Sequence, residues 1–107
     1  MYVDPSTGGR KGRSLLRHDL IPVKALAEVA LIYGLGSRKY EDNNWRRGYP
    51  WSLSVAALKR HLDKWIDGQS WDKEGFHHLS AVVFHALALM EFEREHPELD
   101  DRYEPDA

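Results

Sequence analysis

Residues 76–95 read FHHLSAVVFHALALMEFERE, and this stretch decides the fold. From Leu79 to Phe92 it is apolar on nearly all sides of a helical wheel, which predicts a central, buried helix from about Phe76 to Glu95. Pro97 ends it. Upstream, Trp51, Val55, Leu58, Leu62 and Trp65 recur at helical spacing, so a second helix is expected from about Ser52 to Asp67. Ser52 is its expected N-cap and Gly68 its stop. Leu26, Ala30, Tyr33, Ser37 and Tyr40 repeat the same spacing and predict a first helix that opens at Pro22. That stripe runs through Gly34 and Gly36, each of which costs about 1 kcal/mol inside a helix. Either the helix stops near Tyr33, or it continues and the small residues Ala30, Gly34 and Ser37 let another backbone come close. The second reading is preferred.

The expected fold is therefore all-α: a small bundle of three main helices. Three helices with one wholly buried member leave an apolar face open, so completion by homo-oligomerisation is expected. Around the helical domain (residues 22–96) lie an extended basic arm (residues 1–21) and an acidic tail (residues 97–107). Residues 1–18 of the arm set Arg10, Lys11, Arg13 and Arg17 against Asp4 and are rich in glycine, which suits an anion or a solvated terminus. The tail argues against extended nucleic-acid binding, which needs a net basic footprint.

The chain has 107 residues, 42% of them hydrophobic, and no cysteine. One globular domain is expected, with no disulfide or thiolate metal site. No segment approaches the roughly 18 apolar residues of a membrane span, and residues 1–5 lack the apolar core of a secretory signal. A cytoplasmic location is expected, that of the host cell if the gene belongs to a phage.

Four groups of residues could carry chemistry. His78 and His85 lie seven residues apart on the third helix and share one face, as a pocket wall or as hydrogen-bonded core histidines. Asp72 and Glu74, in the loop before that helix, are hard oxygen donors suited to Mg²⁺ or Mn²⁺, or plain N-capping acids. His61 borders the apolar stripe of the second helix and could face His78, or have no role. The loop RKYEDNNWRR, residues 38–47, offers cations, amides and rings to a nucleotide, or is a solvated loop whose Trp45 packs on the core. His18-Asp19 falls in the arm just before Pro22, not inside a helix as a phosphohydrolase metal pair requires. There is no P-loop, GxGxxG or HExxH motif.

Taken together, GGRKGR, DLIP, YGLGSRKYEDNNWRRGYPWS, ALKRHLDKW and DKEGFHHLSAVVFHALALMEFE resemble the phage dATP/dGTP diphosphohydrolase N-terminal domain family, from about Gly8 to Glu93. That family looks related to the all-α, MazG-like nucleoside triphosphate pyrophosphatases. The resemblance implies metal-dependent hydrolysis of dATP and dGTP to a monophosphate and pyrophosphate. It implies Asp72, Glu74 and His78 as catalytic residues, and Asp42 and His61 beside those three as ligands of Mg²⁺ or Mn²⁺. It implies Lys39, Tyr40, Asn44, Trp45 and Arg60 as the nucleotide-binding set, with Arg10 and Lys11 as further phosphate contacts. The MazG-like helix signature, ExxE followed by a later ExxD, is absent from the expected helices. A non-catalytic phage protein that sequesters nucleotide in the same pocket is the alternative.

Overall fold

The structure, a computed structural model, describes residues 1–105. Its helices are α1 (Val23–Lys39), α2 (Trp51–Ile66) and α3 (His78–Glu95), with short 3₁₀ turns at His18–Leu20, Asn44–Arg47 and Pro97–Leu99. Two two-residue strands, β1 (Tyr2–Val3) and β2 (Arg10–Lys11), pair antiparallel and fold part of the arm into a small hairpin. The fold is all-α apart from that hairpin. None of the described helices is long and apolar enough to cross a membrane.

Helix α3 is central, with α2 packed along one side and α1 along another. The α2–α3 seam is close because small residues occupy both buried ridges: Ser54 and Ala57 on α2, Ser80, Ala81 and Ala88 on α3. At one end of this seam Trp51, Ala88 and Phe92 form the buried cluster, with Trp45, Tyr49, Leu89 and Leu99 against it. The expectation that α3 is covered all round does not hold for the single chain. Val83, Leu87 and Met90 form an exposed stripe, because α1 and α2 cover only two of its sides.

Helix α1 does run through Gly34 and Gly36 to Lys39. The reason is not close packing within this chain, since a Cβ added at either glycine would meet nothing within 4 Å. The predicted stripe is also rotated. Val29 is the buried residue of α1, whereas Leu26 and Ala30 are exposed. They stand roughly 60° and 100° from Val29 around the helix, off the side that α1 turns to α3. On α2 the buried ridge is Trp51, Ser54 and Ala57, and Trp65 is left exposed.

Helix starts are satisfied differently from expectation. Pro22 is the N-cap of α1, one position before the first helical residue. Ser52 lies inside the first turn of α2, and its own N–H needs an acceptor. Asp101 supplies it: the carboxylate accepts from Ser52 N at 2.8 Å and from Ser52 Oγ at 2.5 Å. A carboxylate at a helix N-terminus also opposes the positive end of the helix dipole. The first part of the acidic tail is thus docked. Trp51 Nε1 donates to the His96 carbonyl at 3.2 Å, and the Arg102 guanidinium lies over the Trp51 ring. Helix α3 begins at His78, and the cap is His77, whose Nδ1 accepts from Leu79 N at 3.0 Å.

Candidate functional site

A cleft of about 800 Å³ opens between the C-terminal half of α1, the loop that follows it, and the α2–α3 seam. One wall is aromatic. Tyr33, Phe84 and Trp45 meet edge to face, with centroid separations of 5.0 Å for Tyr33–Phe84 and 6.1 Å for each of the other two pairs. The sequence builds this wall from three elements: Tyr33 on α1, Phe84 on α3, and Trp45 on the 3₁₀ turn between α1 and α2. Arg46 stacks over the Trp45 ring at 4.6 Å and donates to Asn43 Oδ1, which fixes the turn.

The rim is polar. Lys39 Nζ lies 3.1 Å and 3.3 Å from the two carboxylate oxygens of Glu74, across 35 residues of sequence. Asp42 accepts a hydrogen bond from the Ser37 hydroxyl. Of the residues expected to act, Lys39, Tyr40, Asp42, Asn44, Trp45, His61 and Glu74 line this cleft. Asp72, His78 and Arg60 do not, nor do Arg10 and Lys11 of the hairpin. The Asp72 carboxylate accepts from Glu74 N at 2.9 Å, and its backbone N–H donates to Phe76 O, so it shapes the loop that carries Glu74.

His61 does face His78, with Nδ1 atoms 2.9 Å apart. One of these two nitrogens must carry a proton and the other a lone pair, so the pair uses both Nδ1 atoms on itself. His78 is only 1% exposed. Burial pushes the His61 pKa down, His78 adds to the shift, and Asp72 opposes it. His85 lies beside them, its ring stacked 6.5 Å from that of His61. Its Nδ1 is 2.9 Å from Ser54 Oγ, which is 2.6 Å from the Tyr49 hydroxyl. Burial, helped by His61 and Arg60, pushes the His85 pKa down to about 4, so the ring is neutral at physiological pH.

A family model matches residues 5–102 of the chain, almost all of this architecture, under the description dATP/dGTP diphosphohydrolase, N-terminal. The chain belongs to that family. No curated protein and no solved structure matches it.

For a member of a diphosphohydrolase family, the acids of the cleft are the natural test of a divalent cation. Among the described residues, no three His, Asp or Glu side chains converge as an all-protein metal cage. Asp42, Asp72 and Glu74 are each engaged separately, by Ser37, by the Glu74 N–H and by Lys39. Mg²⁺, however, is commonly held by one or two carboxylates together with substrate phosphates. Asp42 and Glu74 fit that requirement, since both line the cleft.

Sequence reasoning passed over Tyr49 and Ser54. The available signal was Ser54 itself: a hydroxyl three residues after Trp51, on the face that α2 buries. A buried hydroxyl needs partners, and Tyr49 and His85 are those partners.

Proposed function

We propose that the cleft binds a purine deoxynucleoside triphosphate, dATP or dGTP, and hydrolyses it to the monophosphate and pyrophosphate. The observation that carries this reading is the pairing of an aromatic wall with a polar rim in one cleft of suitable volume. Flat rings give a base a surface to stack on, and the Lys39 ammonium gives the phosphates a counter-charge. Family membership adds the substrate class and the reaction. Binding would exchange the Lys39–Glu74 ion pair for a Lys39–phosphate contact, which releases the Glu74 carboxylate. Glu74 and Asp42 would then hold Mg²⁺ or Mn²⁺ with the triphosphate. Such an ion neutralises phosphate charge and polarises the phosphoryl oxygens. Water adds at the α-phosphorus, and the bond to the bridging oxygen breaks to release pyrophosphate. Asn44 and Tyr40, which line the cleft, would contact sugar or base, while Asp72 and His78 would act by holding the loop and the seam. The pool of such nucleotides sets the place of action: the cytoplasm, that of the host if the gene is a phage's.

Binding without turnover is the second reading, favoured by the separate engagement of the three carboxylates. Incubation with each common dNTP and NTP, in Mg²⁺ and then Mn²⁺, followed by anion-exchange separation, decides between the two. Monophosphate and pyrophosphate without diphosphate establish hydrolysis. Intact nucleotide together with a nucleotide-dependent rise in Tm establishes binding alone. Neither product nor a Tm shift overturns both.

A second copy of the chain is the proposed cover for the stripe Val83, Leu87 and Met90, which is open on the most apolar helix of a small domain. Light scattering should give at least twice the 12.4 kDa chain mass. A particle of the single-chain mass removes this part of the proposal.

A further inference from the structure

The Tyr49–Ser54–His85 chain has only one arrangement that uses all of its protons within the fold. Ser54 is fully buried and its oxygen contacts only these two partners, so its single proton can go to one of them and it accepts from the other. If Ser54 donated to Tyr49, the Tyr49 proton would have no acceptor among the described residues. If Tyr49 donates to Ser54, then Ser54 donates to His85 Nδ1 and every donor is used. The second order also runs from the most acidic hydroxyl, a phenol, to the best neutral acceptor, an imidazole nitrogen, and each bond polarises the next. It leaves the His85 proton on Nε2.

Nε2 has no hydrogen-bond partner among the described residues. Among the described residues no buried side-chain nitrogen or oxygen is left without one, so this atom borders open space, and the open space beside His85 is the cleft. The ring stands at the aromatic end, edge to face with Phe84 at 5.1 Å, and Phe84 in turn meets Tyr33 and Trp45.

We propose that His85 is a specificity-determining residue whose Nε2–H donates a hydrogen bond to N7 of a purine stacked in the cleft, with Tyr49 and Ser54 as the positioning residues that fix this tautomer. The proposal rests on the nucleotide reading above and names the group that reads the base. A fixed donor needs an acceptor. Adenine and guanine both present N7 as an acceptor on the same edge, whereas O6 belongs to guanine alone and the exocyclic amine of adenine is a donor. A donor at N7 therefore accepts both purines and finds no matching atom on a pyrimidine. The opposite tautomer would present an acceptor, which suits the adenine amine and repels guanine O6.

The test compares dATP and dGTP with their 7-deaza analogues, in which a C–H replaces N7. Binding to the intact chain is followed by calorimetry in Mg²⁺, for the natural sequence and for His85→Phe and Tyr49→Phe. The natural sequence should bind each 7-deaza analogue about tenfold more weakly than its parent, the effect of one neutral hydrogen bond left unmade. His85→Phe should bind parent and analogue alike. Tyr49→Phe keeps the ring in place but frees Ser54 to accept from His85, so the discrimination should shrink while dATP gains on dGTP. A purely structural role for His85 would lower Tm and leave the parent-to-analogue ratio unchanged, which overturns the proposal. Equal binding of parent and analogue by the natural sequence also overturns it and leaves the nucleotide reading standing. No binding of any nucleotide overturns both.

Discussion

Phe92→Ala is expected to destabilise the domain by about 3–5 kcal/mol, the usual cost of emptying a buried aromatic site. A small domain has only about 5–15 kcal/mol to lose, so the variant should keep a much smaller stability margin and unfold at clearly lower urea. Phe92 is 1% exposed and sits where three elements meet. Tyr49 stands edge-on to it at 5.0 Å, Trp45 is tilted against it at 6.2 Å, and His96 packs from the chain beyond α3. No neighbour can close the void without moving the Trp45 turn, which is also a wall of the cleft. Urea denaturation followed by circular dichroism measures the loss. Glu93→Ala, the next residue on the same helix but exposed and outside the Val83–Leu87–Met90 stripe, is the comparison and should cost little. Equal midpoints for the two variants would show that the buried cluster is not what holds α3 in place.

Gly48→Ala carries the second large effect, about 3 kcal/mol or more, from two causes that add. The residue has φ 88° and ψ 157°, a region essentially closed to side chains. An added Cβ would also lie 2.8–2.9 Å from ring carbons of His96 and from Leu99 Cδ1. Those neighbours have little freedom. His96 Nε2 is 2.8 Å from the Arg46 carbonyl, and Leu99 packs on the core cluster. Gly68 separates the two causes, because it has φ 92° with nothing within 4 Å of a built Cβ. Gly68→Ala should lose only the conformational part, about 1 kcal/mol. Thermal melts of both variants check the difference. Equal shifts would mean that His96 and Leu99 yield without cost.

Much of the fold was legible because its signals are local. The apolar run of α3, the helical spacing in α2 and the stop at Pro97 placed those two helices within a residue or two of their observed ends, and Pro22 marked the start of α1, whose end was left open between two readings. Facing was less legible. Ser54 and Ala57 are buried through the close approach of a neighbouring helix, and small or polar residues carry little hydrophobic signal. Leu26 was misassigned for the converse reason: it is apolar, but the described residues of the single chain leave about half of it exposed. The loop residues Lys39, Asn44 and Trp45 could be named as a group because a nucleotide requires that mixture of side chains. The Lys39–Glu74 pair could not be read from spacing, since it depends on how α1 lies against the loop before α3. The split between Glu74 in the cleft and Asp72 out of it depends on the loop's turn, in which Gly75 adopts φ 91°.

The Asp101–Ser52 contact has a temporal meaning as well as a structural one. The group that caps α2 is translated 49 residues after the helix turn it serves. Until then the first turn of α2 has its backbone donors in water, and the small, half-polar ridge of Ser54 and Ala57 has no α3 to lie against. Closing so long a loop costs entropy that only the assembled seam can return. The segment that carries Asp101 and the first turn of α2 should therefore form, and open, as one event.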